Sequence, residues 1–182
     1  MKSKEQPILK SAKNGSNTTV KRCIKNGDDI NVTNKYGKTP LILAVSGNYL
    51  MVVKTLIDAG ADVNYKDDDG RSALCKASTN KIIDMLLNAG ADVNSKDKDG
   101  LTPIMELIYT RRGNSEFLID TIKKHIEHGL DLDITTDNDL NVYDQIRKWT
   151  DDNSLIQQYM DENYPQYKEE YDLKQNVSKY NL

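Results

Sequence analysis

The sequence predicts an all-helical repeat fold, and three observations carry that reading. The phrase Gly60-Ala61-Asp62-Val63-Asn64 returns thirty residues later as Gly90-Ala91-Asp92-Val93-Asn94, and self-similarity at such a period marks a stacked array of supersecondary units. Each copy follows an apolar run, Val52-Val53-Lys54-Thr55-Leu56-Ile57 and then Ile82-Ile83-Asp84-Met85-Leu86-Leu87, and each leads through a polar stretch to Gly70 or Gly100. Pro7 is followed by Gly27, Pro40 by Gly60 and Pro103 by Gly129, so the unit extends beyond its two sharpest copies.

The elements are clearest in the second unit. Thr39-Pro40 supplies an N-cap hydroxyl and a proline at the first helical position, where a missing amide hydrogen costs nothing. The helix that starts there carries Leu41, Leu43, Ala44 and Val45 on its apolar side, and Gly47-Asn48 can adopt the positive φ that stops it. A second helix from about Tyr49 repeats Leu50, Val53, Leu56 and Ile57 at three and four residues, which sets one stripe against the first helix. Gly60 ends it. Tyr65-Lys66-Asp67-Asp68-Asp69-Gly70 is too acidic for a core strand and carries an Asp-Gly tight-turn signal, so it is expected to protrude as a turn.

Two antiparallel helices and a turn, recurring over the 33 residues from Gly37 to Gly70, resemble the ankyrin-repeat family. The resemblance rests on Gly37-Lys38-Thr39-Pro40-Leu41, Gly70-Arg71-Ser72-Ala73-Leu74, Gly100-Leu101-Thr102-Pro103-Ile104 and the two Gly-Ala-Asp-Val-Asn phrases. It implies a single all-α ankyrin-repeat solenoid over 1–182, built of helix-turn-helix units joined by short β-turn fingers. Its parts are an N-terminal cap repeat (7–36), inner repeats (37–69, 70–99 and 100–137), a C-terminal cap repeat (138–164) and a tail (165–182). The N-terminal unit replaces the repeated phrase by Gly27-Asp28-Asp29-Ile30-Asn31 and carries Lys10 and Lys13, as a polar outer cap would. In the last unit the second helix (154–163) is expected to turn Leu155, Ile156 and Tyr159 inward.

Three departures from the family pattern carry expectations of their own. The third unit is three residues short near 78–82, which predicts helices shortened there; the fourth is six residues long around Arg111-Arg112-Gly113-Asn114-Ser115, which predicts a longer loop or an extended helix. Where the family often places a histidine after Thr-Pro-Leu, this chain has Ile42, Cys75 and Met105. Stability then leans on apolar stacking, at roughly 25 cal/mol per Å² of apolar surface buried. In the tail, Tyr164, Tyr167 and Tyr171 fall at three and four residues, so a short helix begun by Pro165 would line them along one side. They would pad the exposed end of the last repeat or, alternatively, bind a partner.

Composition narrows the function. Hydrophobic residues make up 37% of 182, low for a single-core globule and fitting a thin core. A net charge of −3 gives no positive field for nucleic acid or anionic membranes, and no stretch approaches spanning length. The N-terminus has no apolar segment behind its basic residues, and Cys23 and Cys75 form neither a metal spacing nor a disulfide framework. A soluble, cytoplasmic chain with reduced core thiols is the expectation.

Patterns with chemistry in them are few. Ser95-Lys96-Asp97-Lys98-Asp99-Gly100 with Glu106 imitates a calcium loop, but Ser95 stands where a first carboxylate belongs and Pro103 where an apolar residue is usual. His125 and His128 could share one helix face with a metal if a third ligand came from elsewhere, though His128 before Gly129 also suits a helix C-terminus. Phosphate loops and nucleophile elbows are missing. The Asn-x-Ser/Thr sequons at Asn17, Asn31 and Asn176 have no meaning without export. No catalytic residue, cofactor or metal ligand is assigned.

The resemblance implies a non-enzymatic protein–protein interaction module, a monomeric adaptor or inhibitor that binds through its concave face and turn tips. The family's contact positions fall on Lys35, Tyr36 and Lys38, on Asp68, Asp69 and Arg71, and on Lys98, Asp99 and Leu101, with Ser46 and Tyr109 towards the far end of the first helices. The mixture suits a protein partner with a basic or mixed surface. The alternative is an enzyme or metal-dependent hydrolase on the same scaffold, using His125, His128 and nearby acids. Within the binding class, a toxin-neutralising protein and a secreted effector remain alternatives.

Overall fold

The structure, a computed structural model, describes residues 6–110, 115–149 and 155–180. Among the described residues it has eleven helices and no strand. They fall in two compact units, Met1–Pro103 and Ile104–Leu182.

The first unit holds three helix pairs: α1 (Pro7–Lys13) with α2 (Asn17–Lys25), α3 (Pro40–Ser46) with α4 (Leu50–Asp58), and α5 (Ala73–Lys76) with α6 (Asn80–Asn88). The first helices pack in one row, α1 on α3 on α5, and the second helices in another, α2 on α4 on α6. Between the rows lie Ile8, Leu41, Ile42 and Leu74 from the first helices and Val20, Val53, Leu56, Ile83 and Leu86 from the second, all buried. Truncating a buried leucine or isoleucine in such a seam costs about 2–5 kcal/mol.

Helix ends follow the sequence signals closely. Thr39 Oγ1 accepts from the Ile42 amide at 3.3 Å and Pro40 takes the first helical position. α4 and α6 stop at Gly60 and Gly90, whose φ values are 85° and 84°. Past each glycine the chain folds back, with Ala61 N donating to Leu56 O at 3.0 Å and Ala91 N to Leu86 O at 3.0 Å, which satisfies carbonyls the helix leaves open. At α3 the positive φ belongs to Asn48 (55°), not to Gly47 (−85°). Gly47 is needed for room, since a Cβ there would overlap the Tyr49 ring.

The three-residue deficit of the third pair falls on one helix only. α5 has four residues where α3 has seven, while α6 keeps the nine residues of α4. α6 carries the core residues Ile82, Ile83, Leu86 and Leu87, so the loss is taken where the apolar stripe is shorter.

The second unit contains α7 (Pro103–Thr110), α8 (Ser115–Glu127), α9 (Val142–Trp149), α10 (Leu155–Asn163) and α11 (Pro165–Tyr180). α8 has thirteen residues against nine in α2, α4 and α6, so part of the extra length is helix; Arg111, Arg112, Gly113 and Asn114 lie outside the described residues. α8 packs on α10, burying Leu118, Ile122, Ile156 and Met160. The inward stripe of α10 is therefore Ile156, Gln157 and Met160; Leu155 is 62% exposed and Tyr159 half-buried, a correction to the expected phase. Residues four apart share a face, so Ile156 and Met160 go inward together while Leu155 and Tyr159 share the neighbouring, more exposed one.

The tail is a sixteen-residue helix rather than a short one. Tyr167 and Tyr171 pack on Tyr143 of α9 with ring centroids 6.5 and 6.0 Å away, and the Arg147 guanidinium lies over the Tyr143 and Tyr171 rings. Tyr167 donates to Asp133 at 2.7 Å, and Lys174 Nζ reaches the buried Asp144 at 3.5 Å. Tyr164 meets Tyr159 edge-on at 6.4 Å. The tyrosines thus cover the α9–α10 side of this unit.

Candidate binding surface on the fingers

Each turn between units is a five-residue finger: finger I (34–38), finger II (67–71), finger III (97–101) and, in the second unit, finger IV (136–140). The first residue builds it. Asn34 Oδ1 accepts from the amides of Tyr36 (2.9 Å) and Lys38 (3.1 Å), Asp67 Oδ1 from Asp69 and Arg71 (3.0 Å each), and Asp97 Oδ1 from Asp99 and Leu101 (2.9 Å each). Thr136 Oγ1 does the same for Asn138 and Leu140 at 3.3 Å. Short side chains that cap their own turn in this way explain why Asn, Asp and Thr stand here. The base is closed by the first amide donating to the fifth carbonyl, as from Asp67 to Arg71 at 3.0 Å.

Successive fingers of the first unit are joined through the main chain. Asp68 N donates to Tyr36 O at 3.2 Å and Lys98 N to Asp69 O at 3.0 Å. The approach leaves no space for a side chain at Gly37, where a Cβ would come within 2.7 Å of the Asp68 amide nitrogen, and φ there is 69°.

Nine of the expected contact residues lie on these three fingers. Lys35 and Tyr36 are exposed on finger I, Tyr36 by 56%, with Lys35 Nζ 4.8 Å from the Tyr36 ring centroid. Asp68, Asp69, Lys98 and Asp99 are exposed on fingers II and III, whereas Lys38, Arg71 and Leu101 are half-buried at the bases. Arg71 is committed inside the molecule: its Nε lies 3.0 Å from Asp97 Oδ2 and its terminal nitrogen 3.5 Å from Asp99 Oδ2. Ser46 is exposed at the end of α3 and donates to Ile42 O at 2.8 Å. Tyr109, 49% exposed on α7, belongs to the second unit.

Sequence reasoning passed over Asp67 as an organising residue and took Asp97 for a calcium-loop mimic. Both are buried, and Asp97 spends its oxygens on its own turn and on Arg71. The available signal was an Asn, Asp or Asp three residues before Gly37, Gly70 and Gly100. The two histidines do not share a face. His125 is fully buried, with Nδ1 2.8 Å from Thr121 O and Nε2 without a partner, and burial pushes its pKa down to about 4. His128 is exposed, with Nδ1 2.7 Å from Lys124 O near the end of α8. Among the described residues, no group of three or more His, Cys, Asp or Glu could hold a metal, and no helix is long and apolar enough to cross a membrane. Cys23 and Cys75 are buried and free, and burial raises both thiol pKa values.

Paired helices laid in two rows, with self-capped fingers joined main chain to main chain, define a helical-repeat protein. Residues 8–97 match the family described as ankyrin repeats, in three copies. Similar curated proteins are named as ankyrin repeat proteins. L38 of Acanthamoeba polyphaga mimivirus is 42% identical over 60 residues, covering 28% of this chain and 32% of that protein. YahD of Escherichia coli (strain K12) is 42% identical over 59 residues, covering 32% of this chain and 29% of that protein. The chain thus spans about a third of the length of these relatives. Ankyrin repeats are generally protein–protein interaction modules.

Proposed function

We propose that the chain is a non-enzymatic binding module, an adaptor or inhibitor that engages a protein partner through its fingers. The observation that supports this most is a rigid base under an exposed, chemically mixed edge. Three fingers are fixed by their own first residues and by each other, yet Lys35, Tyr36, Asp68, Asp69, Lys98 and Asp99 stay exposed. A preorganised surface loses little entropy on binding, and exposed tyrosine supplies large contact area with few rotors. In this reading 7–36 and 138–164 are capping repeats, 37–69, 70–99 and 100–137 are inner ones, and the module works as a cytoplasmic monomer. Lys38, Arg71 and Leu101 support the tips from below, and Ser46 and Tyr109 are further contacts.

The test is capture of partners by the full chain, identification by mass spectrometry, and affinity measurement with Tyr36→Ala and Tyr109→Ala. Each should weaken binding severalfold or more at unchanged helicity. Unchanged affinity in the Tyr36 variant would remove the fingers from the interface.

A further inference from the structure

Fingers II and III of the first unit repeat a pattern, Asp67-Asp68-Asp69-Gly70 and Asp97-Lys98-Asp99-Gly100, and they repeat a pose. In both, the first aspartate gives Oδ1 to two amides at 2.9–3.0 Å. With Oδ1 fixed in the same way, Oδ2 is turned the same way, towards the preceding finger. In finger III that oxygen is occupied: the Arg71 guanidinium spans Asp97 Oδ2 at 3.0 Å and Asp99 Oδ2 at 3.5 Å. In finger II it is not. Asp67 is 5% exposed, its Oδ2 has no hydrogen-bond partner, and Asp69 beyond it is exposed.

The residue that corresponds to Arg71 on finger I is Lys38. Among the described residues it makes no ion pair with Asp67 or Asp69. A buried carboxylate oxygen without a partner is costly, and the cost is recovered when a cation with fitting donors arrives. A lysine ammonium is a compact point charge, whereas a planar guanidinium carries donors fixed in a fork that can serve two carboxylates at once.

We propose that Asp67 and Asp69 form a guanidinium receptor: an arginine side chain of the protein partner displaces the cover that closes Asp67 Oδ2 from solvent and completes the pair as Arg71 completes Asp97 and Asp99. This rests on the reading of the fingers as the binding surface and names the chemistry that surface selects. Arginine, not lysine, is the residue recognised.

The experiment is an amide NMR titration of the full ¹⁵N-labelled chain with acetyl-Gly-Arg-Gly-amide and, separately, acetyl-Gly-Lys-Gly-amide. The arginine peptide should shift the amides of Asp69, Gly70 and Arg71, and the lysine peptide should shift them severalfold less at equal concentration. Asp69→Asn should weaken the response. Lys38→Arg should place a guanidinium in the receptor from within, so that the response disappears and the melting midpoint rises; the spectrum itself reports that each variant is folded. No response in the unmodified chain, an equal response to lysine, or a response that survives Lys38→Arg would overturn the receptor. Loss of partner binding in Tyr36→Ala together with any of these outcomes would discard the receptor and leave the finger surface standing.

Discussion

Asn64 fastens its repeat to the next: its Oδ1 accepts from the Asp92 amide at 2.8 Å and its Nδ2 donates to Gly90 O at 3.0 Å. Asn31 makes the first of these bonds one repeat earlier, to the Asp62 amide at 2.9 Å. Both residues are at the surface, so each bond is worth about 1 kcal/mol net. Asn64→Ala should lower unfolding stability by about 1–2 kcal/mol, more than Asn31→Ala, in denaturant titrations of the two variants. Equal costs would mean that the Nδ2 bond contributes nothing.

Glycine is required for different reasons at Gly60 and Gly37. A Cβ at Gly60 meets nothing within 4 Å, so Gly60→Ala carries only the left-handed backbone penalty, about 1 kcal/mol. At Gly37 the same methyl group would collide with the backbone of Asp68 and break the contact between fingers I and II. Gly37→Ala should therefore cost more than Gly60→Ala. It should also expose the Asp68 amide to hydrogen exchange, which Gly60→Ala leaves protected.

His125 makes stability depend on mild acid. Its folded pKa, about 4, lies below the ordinary 6.5 because burial disfavours the cation. Between those values the unfolded chain holds a proton that the folded chain does not. The contribution is thus fully present above pH 6.5 and falls as pH drops towards 4, by about 3 kcal/mol in all. Unfolding free energy measured across that window should slope downward with acid, and His125→Leu should flatten the slope.

The tyrosine contacts of α11 are separable from the first unit. Tyr171→Ala removes the edge-on ring against Tyr143 and one face of the Arg147 stack. Hydrogen exchange in α11 should accelerate, with amides of α3 and α4 unchanged. Unaltered exchange in α11 would show that Tyr167 with Asp133 and Lys174 with Asp144 suffice to hold it.

Much of the fold was legible because single residues do single jobs in it. Thr39 caps, Pro40 starts, and Gly60 stops, each by a local rule that needs no knowledge of the neighbours. The repeated phrase encodes three such jobs: Gly60 reverses the chain, Asp62 Oδ1 accepts from the Asn64 amide, and Asn64 reaches the following repeat. Legibility failed where two nearby residues compete for one role. Gly47 and Asn48 could both take the positive φ; Gly47 ends the helix in the right-handed region, and the reversal closed by Tyr49 N donating to Ala44 O at 3.0 Å falls on Asn48. Leu155 and Ile156 could both begin the buried face of α10, and packing against α8 decided. On the fingers the exposed tips were foreseen, while Asp67 and the commitment of Arg71 to Asp97 depend on two turns meeting, which a single finger does not reveal.

The joints between fingers are made of main-chain atoms, Asp68 N with Tyr36 O and Lys98 N with Asp69 O. Side chains at 35, 36, 68, 69, 98 and 99 can therefore be exchanged without unfastening the edge that displays them. Such an edge is a rewritable one: an altered target calls for new letters at six positions, and the carrier beneath them stays as it is.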